Sequence, residues 1–106
     1  MKDRRYDPGT ITALAGLTEL ALERERTSRL EEAERTVGRW KRGRIAAAEA
    51  LEELRRTAAV PDASWHKDAD PGVPVAYAVA VGLLTRDDIP DGVWNSIEVL
   101  ITLAGI

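Results

Sequence analysis

The chain has 106 residues, a formal net charge of -3, one histidine and no cysteine. The lack of cysteine excludes a disulfide scaffold, cysteine-ligated metal and a cysteine nucleophile, and one histidine excludes a multi-histidine metal site within a single chain. Hydrophobic residues make up 44% of the chain, so we expect a single globular domain over residues 1–106. The longest apolar run, residues 73–84, is shorter than the ~20 residues of a membrane span, and no secretory signal is visible. We therefore expect a cytoplasmic protein without a membrane partner.

The charge is unevenly distributed along the chain. Residues 1–60 contain 13 Lys and Arg against 11 Asp and Glu, a net of +2, whereas residues 61–106 contain 2 against 7, a net of -5. A densely charged first part thus precedes an apolar second part with acidic turns.

The first predicted helix begins near Asp7-Pro8, where aspartate can cap the helix and proline can occupy its first turn. Thr10 is the other candidate cap. From residue 11 to residue 22, apolar side chains recur every three or four positions, which predicts one apolar helix face. These side chains belong to Ile11, Leu14, Leu17 (or Thr18) and Ala21.

Residues 23–29 contain no apolar side chain, and two interpretations stay open. One long helix could cross this stretch, helped by the ion pair Glu25–Arg29. Alternatively, Ser28 and Glu31 form a capping box that starts a new helix. Further on, Gly38 and Gly43 predict a bend.

The strongest helical pattern lies over residues 44–57, with Glu52–Arg56 as a surface pair. Its apolar face consists of Ala47, Leu51, Leu54 and Ala58. Residues 10–58 are therefore predicted to form a charged helical hairpin. Residues 59–72 form a linker rich in proline, in which Trp65 is expected to pack the loop onto a core.

Residues 73–84 fit two structures. Valine or tyrosine at every second position is typical of a strand, yet a buried helix tolerates the same apolar run. The partner segment has Val93, Ile97, Leu100 and Ala104 at helical spacing. We therefore predict an apolar helical hairpin over residues 73–104 and an all-α fold, a small bundle of two helical hairpins. The alternative is an α+β fold with a C-terminal two-stranded ribbon.

The basic segment at residues 35–44 has no acid, and it is the best candidate for nucleic-acid contact because its cations surround a tryptophan that can stack on bases. The candidate contact residues are Arg35, Arg39, Trp40, Lys41, Arg42 and Arg44. The competing interpretation is a solvated bend in which these arginines pair with Glu31, Glu32 and Glu34 and the tryptophan anchors a core.

The segment Thr36-Val-Gly-Arg-Trp-Lys-Arg-Gly-Arg44, followed by residues 48–54, resembles the end of the recognition helix and the next helix in Cro/repressor-type helix-turn-helix domains. The resemblance covers about 19 residues. It implies that Arg35, Gly38 and Arg39 would face the major groove and that the other cations would touch phosphates. The turn of that family normally contains glycine, and this chain has Leu30-Glu-Glu-Ala-Glu34 at that place.

Two E-x-x-E pairs, Glu31/Glu34 and Glu49/Glu52, are similar to the Mg²⁺-binding motif type of all-α nucleotide pyrophosphatases. The further E-x-x-D of those enzymes is absent. His66 lies near Asp68 and Asp70, but the loop has too few ligands for a metal site.

We therefore expect a small non-enzymatic interaction or adaptor protein that acts through its helix faces. It would bind a protein partner or self-associate as an oligomer, with no cofactor, catalytic residue, metal or small molecule. A nucleic-acid-binding regulator that uses residues 35–44 is the alternative, and a metal-dependent enzyme on the E-x-x-E pairs is a more distant one.

Overall fold

The computed structural model describes residues 6–58 and 64–105. Its α-helices are α1 (Pro8–Lys41), α2 (Ala47–Ala58), α3 (Gly72–Ala80) and α4 (Asp91–Ala104), with short 3₁₀ helices at Ser64–Lys67 and Arg86–Asp88. These residues contain no strand, so the all-α prediction is confirmed and the alternative with a two-stranded ribbon is wrong.

The chain divides into two compact units. The core unit comprises the described residues 6–23 and 64–105, and the hairpin unit comprises residues 24–58. Helix α1 contributes residues 8–23 to the first unit and residues 24–41 to the second. The segment 10–58, which the sequence groups into one hairpin, is thus shared between the two units.

Helix α1 begins as the sequence predicts. Oδ1 of Asp7 accepts a hydrogen bond from the backbone N–H of Thr10 at 2.7 Å, and Pro8 is the first helical residue. Leu14, Leu17 and Ala21 are all buried in the core unit. The predicted apolar face is therefore the face that packs.

Helix α3 settles the ambiguous apolar run. Val75, Ala76 and Ala78 are buried, whereas Tyr77 and Val81, four residues apart, are exposed. This spacing is helical, because a strand would bury every second residue. The helix ends at Ala80 and is followed by Gly82, which has a φ of 86°. The N–H groups of Gly82 and Leu83 donate to the carbonyl oxygens of Val79 and Ala78 in a Schellman arrangement.

The remaining core is supplied by α4, by Trp65 of the first 3₁₀ helix, and by Leu84 and Ile89, which flank the second 3₁₀ helix. Val93 and Ile97 of α4 are buried as predicted, and Trp65 packs against the same core, as expected for a tryptophan in a polar loop. Arg86 holds the turn before α4 by donating to Asp91 at 2.7 Å and by lying 4.6 Å from the ring centre of Trp94.

A close approach between Gly72 and Tyr6 fixes the start of α3. The Tyr6 hydroxyl donates to Oδ1 of Asp70 at 3.0 Å, and the same oxygen accepts the N–H of Gly72 at 2.9 Å. A Cβ at position 72 would overlap the Tyr6 hydroxyl and would lie 2.9 Å from Cγ2 of Ile97. Only glycine allows this contact without displacing a neighbour.

In the hairpin unit, α1 is continuous through residues 23–29, so the long-helix interpretation is confirmed and the break at Ser28 is wrong. The expected pair Glu25–Arg29 forms at 3.3 Å. The helix also continues through Gly38, and the chain turns only at Gly43, with a φ of 72°. The predicted bend therefore occurs at Gly43 and not at Gly38.

None of the described helices combines the length and apolar content that a bilayer span requires.

Replacement of Gly72 by alanine should destabilise the core unit, because the new methyl group meets buried neighbours. Overpacking of this kind costs about 1–3 kcal/mol. Chemical denaturation of Gly72→Ala measures this cost. Gly92→Ala, where a Cβ meets nothing within 4 Å, is the matched control and should not be destabilised. Equal stability of the two variants would contradict the packing described for Gly72.

The cap of α1 should give a stability that depends on pH. The backbone N–H of Thr10 holds the pKa of the Asp7 carboxyl below its ordinary value of 3.8. The stabilisation is therefore present above that value and is lost as the pH falls through the lower folded pKa. At neutral pH, Asp7→Ala should unfold at a lower temperature than the natural chain, and this difference in unfolding temperature should disappear in acid. Asp7→Ser caps the helix without titrating, so it should unfold at a higher temperature than Asp7→Ala in acid as well.

Candidate interaction surface

The hairpin unit consists of α2 packed against residues 24–41 of α1, and it buries little. Its buried side chains are Thr36 and Ala50. A pair of helices can cover only the stripe along which they touch, and a groove opens on each side of that stripe. One of these sides is polar and the other is apolar.

The polar side contains a hydrogen-bonded network between the helices. Arg39 donates to Oε2 of Glu53 in a short ion pair and to Oγ1 of Thr36 at 3.3 Å. Oγ1 of Thr36 also lies 3.2 Å from Oε2 of Glu53 and 3.2 Å from the carbonyl oxygen of Glu32. The buried hydroxyl is satisfied, and the network fixes α2 against one face of α1.

A groove of about 450 Å³ opens on this polar side. Its walls also include Arg56 and Thr57, so charges of both signs and hydroxyl groups line it. Its central cation and anion, Arg39 and Glu53, already pair with each other. The arrangement serves the packing of the hairpin.

The apolar side presents a groove of about 230 Å³ whose walls carry almost no polar surface. Leu51 is 67% exposed and Trp40 is 47% exposed, and both line the groove. The other lining residues are Val37, Ala47, Ala50 and Leu54. Leu30, 72% exposed, lies two turns before Val37 on α1 and extends the same apolar stripe. Trp40 is therefore not the core anchor of the solvated-bend interpretation.

The basic segment lies at the end of α1 and in the following turn. Within the described residues, no ion pair is formed by Arg35, Lys41, Arg42 or Arg44, and all four are exposed. The guanidinium group of Arg42 folds back over Gly38, where a Cβ would lie 3.1 Å from its Nη1. Arg39 differs from these four because it is engaged with Glu53.

These positions correct the predicted pairing of the arginines. The sequence suggests that Glu31, Glu32 and Glu34 neutralise the cations along α1, but Arg39 instead pairs across the hairpin with Glu53. Nothing in the apolar periodicity of α2 singles out Glu53. The only sign in the sequence that Glu53 faces α1 is its position on the same face of α2 as Ala50 and Thr57, which are three and four residues away.

The helix-turn-helix resemblance is not matched by the fold. Residues 30–34, where that family has its turn, lie in the middle of the continuous helix α1. The segment 36–41 is therefore the end of a long helix and not a short recognition helix after a turn.

The acidic pairs do not converge. Glu31, Glu34 and Glu49 are exposed, while Glu52 binds Arg55 at 2.6 Å and lies 3.6 Å from Arg56, the partner predicted from the sequence. The hydrogen bond from Arg55 is the main cause of the lowered pKa of Glu52. No group of three or more His, Asp or Glu able to hold a metal ion occurs in the described part of the chain.

The core unit has a groove of about 230 Å³ next to the 3₁₀ helix of residues 64–67. Glu19, His66 and Asp68 are among its lining residues. The ring of His66 meets that of Trp65 edge to face, with centroids 5.7 Å apart. His66 is partly buried, and its ring contact with Trp65 agrees with a structural role for the histidine.

Comparisons of the chain with models of protein families, with curated proteins and with solved structures gave no match.

Proposed function

We propose that this chain is a small non-enzymatic interaction protein that binds a protein surface through the apolar side of its hairpin unit. The observation that supports this most directly is the exposure of Leu51 beside the groove that it forms with Trp40. Covering apolar surface stabilises a complex by about 25 cal/mol per Å², so an open apolar groove is a ready source of binding energy.

The composition of the groove supports a protein partner. Tryptophan and leucine side chains that project from helices are typical anchors of helix-in-groove recognition, and tryptophan is frequent among the residues that dominate interface energies. The mixed charges next to the groove, such as Glu34 and Lys41, resemble the polar rim of a protein interface. An adaptor needs only such a surface and no catalytic group.

A photoreactive side chain tests this proposal in cells that express the protein. When benzoylphenylalanine replaces Leu51, irradiation should yield a discrete covalent adduct with a protein, identified by mass spectrometry. The same probe at Arg56, which is exposed on the polar side, is the control and should yield much less adduct. No adduct at position 51, or equal adducts at both positions, would contradict the proposal.

A nucleic-acid-binding regulator is the second candidate function. It is favoured by the exposed cations Lys41, Arg42 and Arg44, which have no acidic partner in the described residues and flank a half-exposed tryptophan. Such a group can neutralise phosphates while the indole stacks on a base. The engagement of Arg39 with Glu53 leaves fewer cations for phosphates than the sequence alone predicts.

Fluorescence anisotropy with labelled single-stranded and duplex oligonucleotides tests this second function. Binding should weaken as salt rises, and Arg42→Glu/Arg44→Glu should lower the salt slope by about 0.7–0.9 for each phosphate that the variant no longer neutralises. Arg55→Glu/Arg56→Glu makes the same charge change away from the turn and serves as the control. An absence of salt-sensitive binding at low salt would exclude this function.

A further inference from the structure

We propose that the occupant of the apolar side is the same side of a second copy of this chain, with the two α1 helices antiparallel and crossing between Val37 and Gly38. This inference rests on the proposed function and names its partner. Two hairpins would then form a four-helix bundle around a twofold axis.

The size of the hairpin unit is the first argument. It spans residues 24–63, and of its described residues only Thr36 and Ala50 are buried. Units of about 40 residues or fewer usually need disulfides, metals or oligomerisation to be stable. The chain has no cysteine, and its described residues contain no cluster of metal-binding side chains. Of these three ways to stabilise a small unit, oligomerisation is the one that we propose for the hairpin unit.

The spacing of the apolar residues is the second argument. On α1 they lie three, four and three residues apart, and on α2 they lie four, three and four residues apart. This alternation is the heptad pattern of helices that pack side by side in coiled coils and four-helix bundles. The α1 residues are Leu30, Ala33, Val37 and Trp40, and the α2 residues are Ala47, Leu51, Leu54 and Ala58.

The charges beside the α1 stripe are the third argument, and they indicate a second copy. Glu34 and Lys41 are each four residues after an apolar residue of the stripe and seven residues from each other, so they lie on the same edge of α1. Both are exposed and neither forms an ion pair with another described residue. The midpoint between them falls between Val37 and Gly38.

An antiparallel crossing at that midpoint places Glu34 of each copy opposite Lys41 of the other. A twofold rotation thus brings opposite charges of the two edges together, an arrangement that is common at the rim of paired helices. Leu51 lines the same groove as Val37, so the axis that passes α1 at this level also passes close to Leu51. The most exposed residue of the groove would then meet its own copy.

Sedimentation equilibrium of the purified full chain tests this arrangement. The natural chain should dimerise, and Leu51→Gln should raise the dissociation constant by about tenfold or more, because leucine contributes at the centre of the interface. Leu103→Gln is the matched control, since this leucine of α4 is 60% exposed in the core unit, and it should leave the dissociation constant unchanged. A natural chain that stays monomeric at about 0.2 mM would overturn the proposal.

Charge exchange then tests the antiparallel crossing itself. Glu34→Lys and Lys41→Glu should each raise the dissociation constant by about tenfold, because each turns two attractive pairs into two repulsive ones. The double variant Glu34→Lys/Lys41→Glu restores both pairs with inverted sign and should return to within about threefold of the natural chain. Glu31→Lys, the same charge change on α1 away from this edge, is the control.

A double variant that dissociates as readily as the single variants would overturn the crossing. The outcomes also separate this inference from the proposed function. If the purified chain is monomeric but the probe at position 51 captures a different protein in cells, the self-association fails and the proposed function stands. If that probe captures nothing, the proposed function fails as well.

Discussion

Two packed helices can bury only the stripe along which they touch, and this limit governs the hairpin unit. The contact between α1 and α2 covers Thr36 and Ala50 and leaves the larger apolar side chains Leu30, Trp40 and Leu51 in contact with water. The core unit is under no such limit, because residues from several helices converge on Leu14, Val75 and Ile97. The two units therefore differ in burial: the core unit contains fully buried side chains such as Leu14 and Ile97, whereas the largest apolar side chains of the hairpin unit are exposed.

The polar network determines on which side of the hairpin unit the apolar side chains lie. Arg39, Thr36 and Glu53 form directional contacts, so rotation of α2 on α1 would break the Arg39–Glu53 ion pair and the contact between the Thr36 hydroxyl and Glu53. With the polar residues held on one side, Leu51 and Trp40 must project on the other. The network therefore does more than stabilise the hairpin, because it also orients the apolar side.

Much of the fold could be predicted because helix packing follows a period of 3.6 residues. Leu14, Leu17 and Ala21 of α1 and Val93 and Ile97 of α4 are buried as their spacing indicates. The run at residues 73–84 is ambiguous in sequence because alanine occupies most positions between the valines. Apolar residues therefore recur both at the two-residue period of a strand and at the 3.6-residue period of a helix. Its burial pattern depends on which neighbours it meets, which local sequence does not specify.

The candidate site was less predictable, because its contacts depend on neighbours that local sequence does not specify. Ser28 has the partners of a helix cap, but nothing before it stops the helix, and the Glu25–Arg29 pair supports continuation. Glu53 resembles any surface glutamate until α1 is packed beside it. The cations of residues 35–44 stand out in the sequence as a group, yet which of them is engaged depends on a residue on another helix.

The two proposed activities of the hairpin unit share Trp40 and Lys41 but not Arg42 and Arg44. In the proposed dimer, Lys41 is used at the rim with Glu34 of the other copy, while Arg42 and Arg44 lie in the turn beyond the end of α1. Residues 24–63 of this unit carry ten basic and eight acidic residues, a net of +2, so two copies repel one another weakly at long range. Salt screens this repulsion over about 10 Å at 0.1 M, whereas close rim pairs are screened less. Association through the apolar side would therefore bring together two basic turns whose remaining arginines stay exposed, and a phosphate backbone bound there would further offset the repulsion between the copies.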